Sequence, residues 1–290
     1  MARIVPTILL HFLRLVRCSR RGSNFLRPCS RDPINFINPL IFTSGVFLIS
    51  KEKGEIIEMT RYQKFLLLAF AVVWTWAAIN PKYPHDWLLE NYLVFIFVPI
   101  ILLVSRYFRL SNTSYTLITI FMSLHVIGSH YTYAEVPFGY DLQQWFGASR
   151  NMYDRVVHFA FGLLLAYPLR EMFLRVAKAE GVWGYWLPIE LVLAFSAGYE
   201  IVEWLVAVRV DPSAGLAFLG AQGDIWDAQK DMLLAGAGAT LSMGLVALLH
   251  WRFDPGFARE LRESLSIKGG EVPLAEVKLR EMLRRWRRKS

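Results

Sequence analysis

The sequence predicts an all-α fold, a polytopic transmembrane bundle of six helices with both termini cytoplasmic. Three observations predict it. Six apolar stretches lie at about 65–79, 92–105, 115–129, 156–173, 182–208 and 232–249. Charged residues make up 19% of the 290-residue chain and fall mostly outside those stretches, whereas an ordinary soluble domain carries about 25%. Lys and Arg gather at alternate stretch ends, as orientation signals do.

The longer stretches approach the ~20 apolar residues that a bilayer crossing needs, and the shorter ones rely on aromatic flanks to complete it. Arg61 and Lys64 precede span one. Arg106 and Arg109 follow span two, Arg170, Arg175 and Lys178 follow span four, and Arg252, Arg259 and Arg262 follow span six. The alternate loops are acidic, with Asp86 and Glu90, then Glu135 and Asp141, then Asp211 and Asp224. Positive-inside bias therefore puts the acidic loops on the outer side of the membrane and both termini in the cytoplasm. Trp74, Trp76, Trp87, Trp145, Trp183, Trp186 and Trp204 fall near predicted interfaces, as an aromatic belt would. The net charge of +8 sits at span ends and in the two tails, a distribution that fits membrane lipid and excludes nucleic acid as the partner. The two cysteines, Cys18 and Cys29, both precede the first span, so no disulfide framework holds the core.

Three regions follow. Residues 1–58 form a basic extension with seven arginines before Asp32. Lys53-Gly54-Glu55 is what an in-frame purine-rich ribosome-binding sequence spells, which makes Met59 the expected natural start. Residues 59–251 form the membrane domain. Residues 252–290 form a basic tail in which Leu279, Met282, Leu283 and Trp286 recur at helical spacing among arginines. That pattern reads either as an amphipathic helix on the inner leaflet or as a solvated tail.

Charge at membrane depth is costly, so each instance is a functional candidate. On span four, Asp154 and His158 share a face one turn apart. On span five, Ser196, Glu200 and Glu203 share a face. On span six, Asp224, Asp227 and Asp231 form one stripe, continued by Ala235, Gly238 and Ser242. Span three ends near His125 and His130. Alternating directions bring these ends to one shallow level at the outer face. Competing readings exist: Asp224, Asp227 and Asp154 suit helix starts, where acids favour the dipole, and His125 suits packing. Glu200 and Glu203 lie near a helix end that disfavours anions, so they need cations, protons or donors. Gly236, Thr240 and Gly244 read as close helix packing.

The segments His130-Tyr131-Thr132-Tyr133, Tyr153-Asp154-Arg155-Val156-Val157-His158-Phe159, Tyr199-Glu200-Ile201-Val202-Glu203-Trp204 and Gly223 to Met232 closely resemble the bacterial YjdF family of inner-membrane proteins. The order of these motifs is more loosely similar to VanZ-like proteins, which are linked to glycopeptide-antibiotic resistance. The first resemblance implies a multi-pass inner-membrane protein with a cytoplasmic C-terminus and brings no established reaction, substrate or cofactor.

Three functions fit. In the first, a membrane-embedded enzyme acts on a lipid or other amphiphile, with His158, Glu200, Glu203 and Asp231 as catalytic candidates. His130, His158, Glu200, Glu203, Asp227 and Asp231 would hold a divalent metal ion: an oxygen-rich set suits magnesium or manganese, and imidazole admits zinc. Arg150, Arg155 and Lys230 would hold an anionic headgroup. In the second, the acids relay protons or cations in a transporter. In the third, the cluster joins helices in a non-catalytic binding or assembly protein.

Overall fold

A computed structural model describes residues 58–209, 222–266 and 275–288. The basic extension up to residue 57, and the loop acid Asp211, lie outside the described residues. Every regular element among the described residues is helical. In chain order these are α1 (Arg61–Ala78), α2 (Pro84–Ser105), α3 (Asn112–Tyr131), α4 (Pro137–Phe146), α5 (Tyr153–Met172), α6 (Trp183–Ala207), α7 (Asp227–Phe253), α8 (Phe257–Ser264) and α9 (Ala275–Arg287). A single 3₁₀ turn, Tyr133–Glu135, precedes α4, and a π turn, Phe173–Ala177, extends α5.

Local chemistry sets the helix ends. Thr60 and Gln63 form a capping box at the start of α1. Pro84 and Pro137 open α2 and α4, where a missing N–H costs nothing. Ser111 caps α3 through the Ser114 N–H. Gly147, in the left-handed conformation, stops α4.

Three helices among the described residues are long and apolar enough to cross a membrane: Pro84–Ser105, Tyr153–Ala177 and Asp227–Phe253. The other long helices, α1, α3 and α6, are not among them. Arg61 and Lys64 open α1, hydroxyls recur along α3, and α6 carries Glu190, Glu200 and Glu203.

The central element is α5. On one side, Tyr153, Val157 and Leu165 join the buried apolar cluster of α1, α2 and α3 that includes Phe70, Val94 and Phe121. On the other, Ala166 joins Val192 of α6 and Ala235, Ala239 and Met243 of α7. Phe161 packs against both clusters.

The contact of α5 with α7 is close enough to exclude side chains. A Cβ on Gly162 would lie 1.8 Å from the Ala235 carbonyl oxygen, and one on Gly238 would lie 2.2 Å from the Phe159 carbonyl oxygen. Small residues let helices approach in this way. The sequence points to Gly236 and Gly244 for such a role. Gly236 plays it against α6, where a Cβ would lie 2.7 Å from the Leu193 side chain, whereas Gly244 faces open space.

Both ends of α5 are tied to α3. Tyr153 donates its hydroxyl to the Leu124 carbonyl at 2.8 Å. At the far end, Glu171 accepts from the Ser111 N–H at 2.8 Å and from the Ser114 hydroxyl at 2.6 Å. This clamp fixes the depth at which the polar residues of α5 meet their neighbours.

Candidate functional site

The first turns of α5 and α7 and the last turns of α6 meet at one end of the bundle. The loop before α5 is pinned there. Asn151 donates its side-chain amide to the Val136 carbonyl at 2.9 Å and accepts from the Tyr153 N–H at 2.9 Å. Its own N–H donates to the Gln222 side chain at 2.9 Å. Gly139 lets Asn151 pass, since a Cβ there would lie 1.8 Å from Asn151 Oδ1.

Two buried arginines organise the acids. Arg155 is 6% exposed. Its Nη2 lies 3.1 Å from Asp224 and 2.5 Å from Asp227, and its Nη1 pairs with Asp231. Arg155 also donates to the Asp227 backbone carbonyl at 3.1 Å. Arg150 pairs with Asp227 and lies 3.4 Å from Asp154. Lys230 donates to Asp224 at 2.6 Å from the exposed side. Asp224 lies before α7, and this lysine, then the Trp226 N–H, holds its carboxyl below the ordinary value.

The three sequence candidates for a headgroup site are thus committed to carboxylates. A planar guanidinium suits such a fork.

His158 sits one turn below Asp154. Its Nε2 is 3.5 Å from Asp154 Oδ1 and 3.8 Å from Glu200 Oε1. Ligand atoms of Asp154, His158 and Asp231 all lie within 4.8 Å of one another. Asp231 is 2% exposed. Its Oδ1 and the Glu200 Oε1 are buried without a hydrogen-bond partner. Buried acceptors left unpaired are costly and call for a cation, a proton or a donor. Around this point, six carboxyls (Asp154, Glu200, Glu203, Asp224, Asp227 and Asp231) accompany three basic side chains.

The structure therefore brings His158, Glu200 and Asp231 together, with Asp227 on the arginine side. Glu203 reaches Glu200 through a side-chain hydrogen bond. It does not bring His130 there. That ring stacks on Trp76 with centroids 4.7 Å apart, and its Nδ1 lies 3.0 Å from the Ala77 carbonyl. His130 closes the contact of α3 with α1, since its side chain leaves α3 on the face turned away from α5. Asp154, read from sequence partly as a helix-start acid, belongs to the ligand-like trio.

Glu90 is the residue that sequence reasoning missed. It reads as a loop acid because the apolar stretch begins at Tyr92. In the structure, α2 starts at Pro84, so Glu90 lies in its second turn and is 6% exposed. Tyr199 of α6 donates its hydroxyl to Glu90 at 3.2 Å. His125 Nε2 lies 3.2 Å from the Glu90 carbonyl, and its Nδ1 meets the Tyr133 hydroxyl. The available signal was Pro84, a strong marker of a helix start two turns earlier.

A family model described as a predicted membrane protein (DUF2238) matches residues 62–252. The Escherichia coli (strain K12) protein named inner membrane protein YjdF is 37% identical over 200 residues, which cover 67% of this chain and 95% of that protein. No solved structure matches.

Proposed function

This chain belongs to the DUF2238 family of predicted membrane proteins, and we propose that it is a six-span inner-membrane protein whose outer-face cluster binds a divalent cation and acts on an amphiphilic substrate. The observation that carries the reading is the pair of buried, partnerless oxygens, Asp231 Oδ1 and Glu200 Oε1, beside His158 and Asp154. Two carboxylates and an imidazole suit manganese or zinc, and the oxygens alone suit magnesium. A metal there would polarise a phosphoryl or acyl oxygen or activate water. Glu200 and Glu203 stand beside it as candidate proton carriers.

In this reading α1, α3 and α6 cross the bilayer along with α2, α5 and α7. Both termini are cytoplasmic, and the acid cluster faces the periplasm. The alternation of basic and acidic loops supports this orientation. Residues 252–290 form a cytoplasmic tail in which Leu279, Met282, Leu283 and Trp286, all exposed on α9, lie on the inner leaflet.

The test is elemental analysis of the detergent-solubilised protein. Wild type should retain a stoichiometric divalent cation. His158→Ala and Glu200→Gln should lose it, because neither removes a partner of Arg150 or Arg155. A wild type free of metal after purification with divalent cations present overturns the reading.

One observation favours an assembly role instead. Arg155 ties Asp224, Asp227 and Asp231 to α5, as a group that only joins helices would. In that case neutralising His158 and Glu200 leaves cellular function intact, while Arg155→Ala abolishes folding.

A further inference from the structure

A second site lies at the opposite end of the bundle. Gln63, Leu66 and Phe70 of α1, Leu102 of α2, and Ile118 and Met122 of α3 line a cleft with about 70 Å³ of free room. That room is below the ~300–1,000 Å³ of sites that enclose a whole small molecule and suits a short stretch of alkyl chain. The lining comes from the start of α1, the end of α2 and the start of α3. The cleft is therefore remote from Glu90 and His130, which mark the other ends of α2 and α3.

Gln63 stands buried in this mostly apolar lining, which also includes Ser105, Tyr115 and Thr119. Gln63 is 5% exposed. Its Oε1 accepts from the Thr60 backbone N–H at 3.0 Å, and its own N–H donates to Thr60 Oγ1 at 3.2 Å. The capping box thereby fixes the carboxamide and identifies which end is nitrogen. Nε2 is left buried with no hydrogen-bond partner. A preorganised donor in a dry, apolar cleft calls for an oxygen carried on an apolar ligand.

Charge narrows the class. Arg61 and Lys64 flank Gln63, Arg106 follows the lining residue Ser105, and all three are exposed. Basic residues at a membrane surface attract anionic headgroups.

We propose that this cleft seats a short stretch of one acyl chain of an anionic phospholipid, with an ester or phosphate oxygen accepting from Gln63 Nε2. The headgroup charge lies against Lys64 and Arg106. The site is independent of the cation cluster, so either can fail without the other.

The test is native mass spectrometry of the full chain from nanodiscs containing phosphatidylglycerol or phosphatidylethanolamine. Wild type should keep a phosphatidylglycerol molecule through delipidation and release phosphatidylethanolamine. Gln63→Glu keeps the acceptor that Thr60 needs but replaces the free donor with an anion. Leu102→Trp fills the cleft. Each should weaken phosphatidylglycerol binding by ~10-fold or more, with helix content and metal content unchanged. If either variant loses helix content, Lys64→Gln combined with Arg106→Gln, on exposed positions, gives the same loss of binding without disturbing the fold. The proposal is overturned if wild type retains no lipid, if it holds both lipids equally, or if folded variants bind like wild type.

Discussion

Arg155 of α5 holds Asp231 of α7 across the closest helix contact in the described structure, a buried cation against a buried carboxylate. Along α5 the pair sits about two turns, and along α7 about one turn, before the level at which Gly162 admits the Ala235 backbone. Charge pairing and close approach therefore act on the same joint. Breaking a buried pair by removing one partner is far more costly than replacing both. Arg155→Leu, which leaves Asp231 without its cation and takes one partner each from Asp224 and Asp227, should destabilise the protein by about 3–5 kcal/mol. Thermal unfolding in detergent measures it, and a wild-type melting curve would mean that the fork does not form.

Gly162→Ala should force α5 and α7 apart, because the added methyl lands 1.8 Å from a backbone oxygen that cannot rotate away. Overpacking of this kind costs about 1–3 kcal/mol. Gly244→Ala, on the same helix as Gly238, meets nothing within 4 Å and should be neutral or stabilising by up to ~1 kcal/mol. Comparing melting temperatures of the two variants separates packing from helix propensity.

Tyr199→Phe removes the hydroxyl that donates to Glu90. The cost of leaving that buried acceptor without its donor is about 1–3 kcal/mol. Metal content should not change, because Tyr199 offers no ligand to the Asp154, His158 and Asp231 group. Loss of metal in this variant would place Glu90 inside the cation site.

Two groups outside the spans titrate with opposite signs. The Asp224 carboxyl is held below its ordinary 3.8. Its contribution is present above pH 3.8 and is lost as pH falls through the folded value. Lys230→Met should move its titration midpoint back up toward 3.8, read by carbon-13 NMR. Lys82, beyond the end of α1, pairs with Glu135 and is raised above its ordinary 10.5 by that hydrogen bond. Its contribution is complete below pH 10.5 and is lost as pH rises through the folded value. Glu135→Gln should lower the Lys82 midpoint, and an unmoved midpoint would show the pair open in solution.

The helices were legible because hydrophobic runs and caps agree: each of the six predicted stretches overlaps one long helix. The periodicity of α5, α6 and α7 also put Asp154, His158, Glu200 and Asp231 on compatible faces. Rotation about each axis was not legible. His130 and His125 lie on one helix, yet one ring turns to α1 and the other to the Glu90 backbone. Partner choice was equally hidden. Arg150 and Arg155 read as anion-binding residues, but the acids of α7 reach them first. The short helix α4 was missed although Pro137 and Gly147 mark both its ends.

Because α5 supplies side chains to the apolar clusters on both of its sides, α1 to α3 cannot finish folding when they are first made. Their buried surface is complete only once a helix encoded later packs against them. Biogenesis of this protein is therefore not a march from first helix to last: the middle of the message completes the beginning.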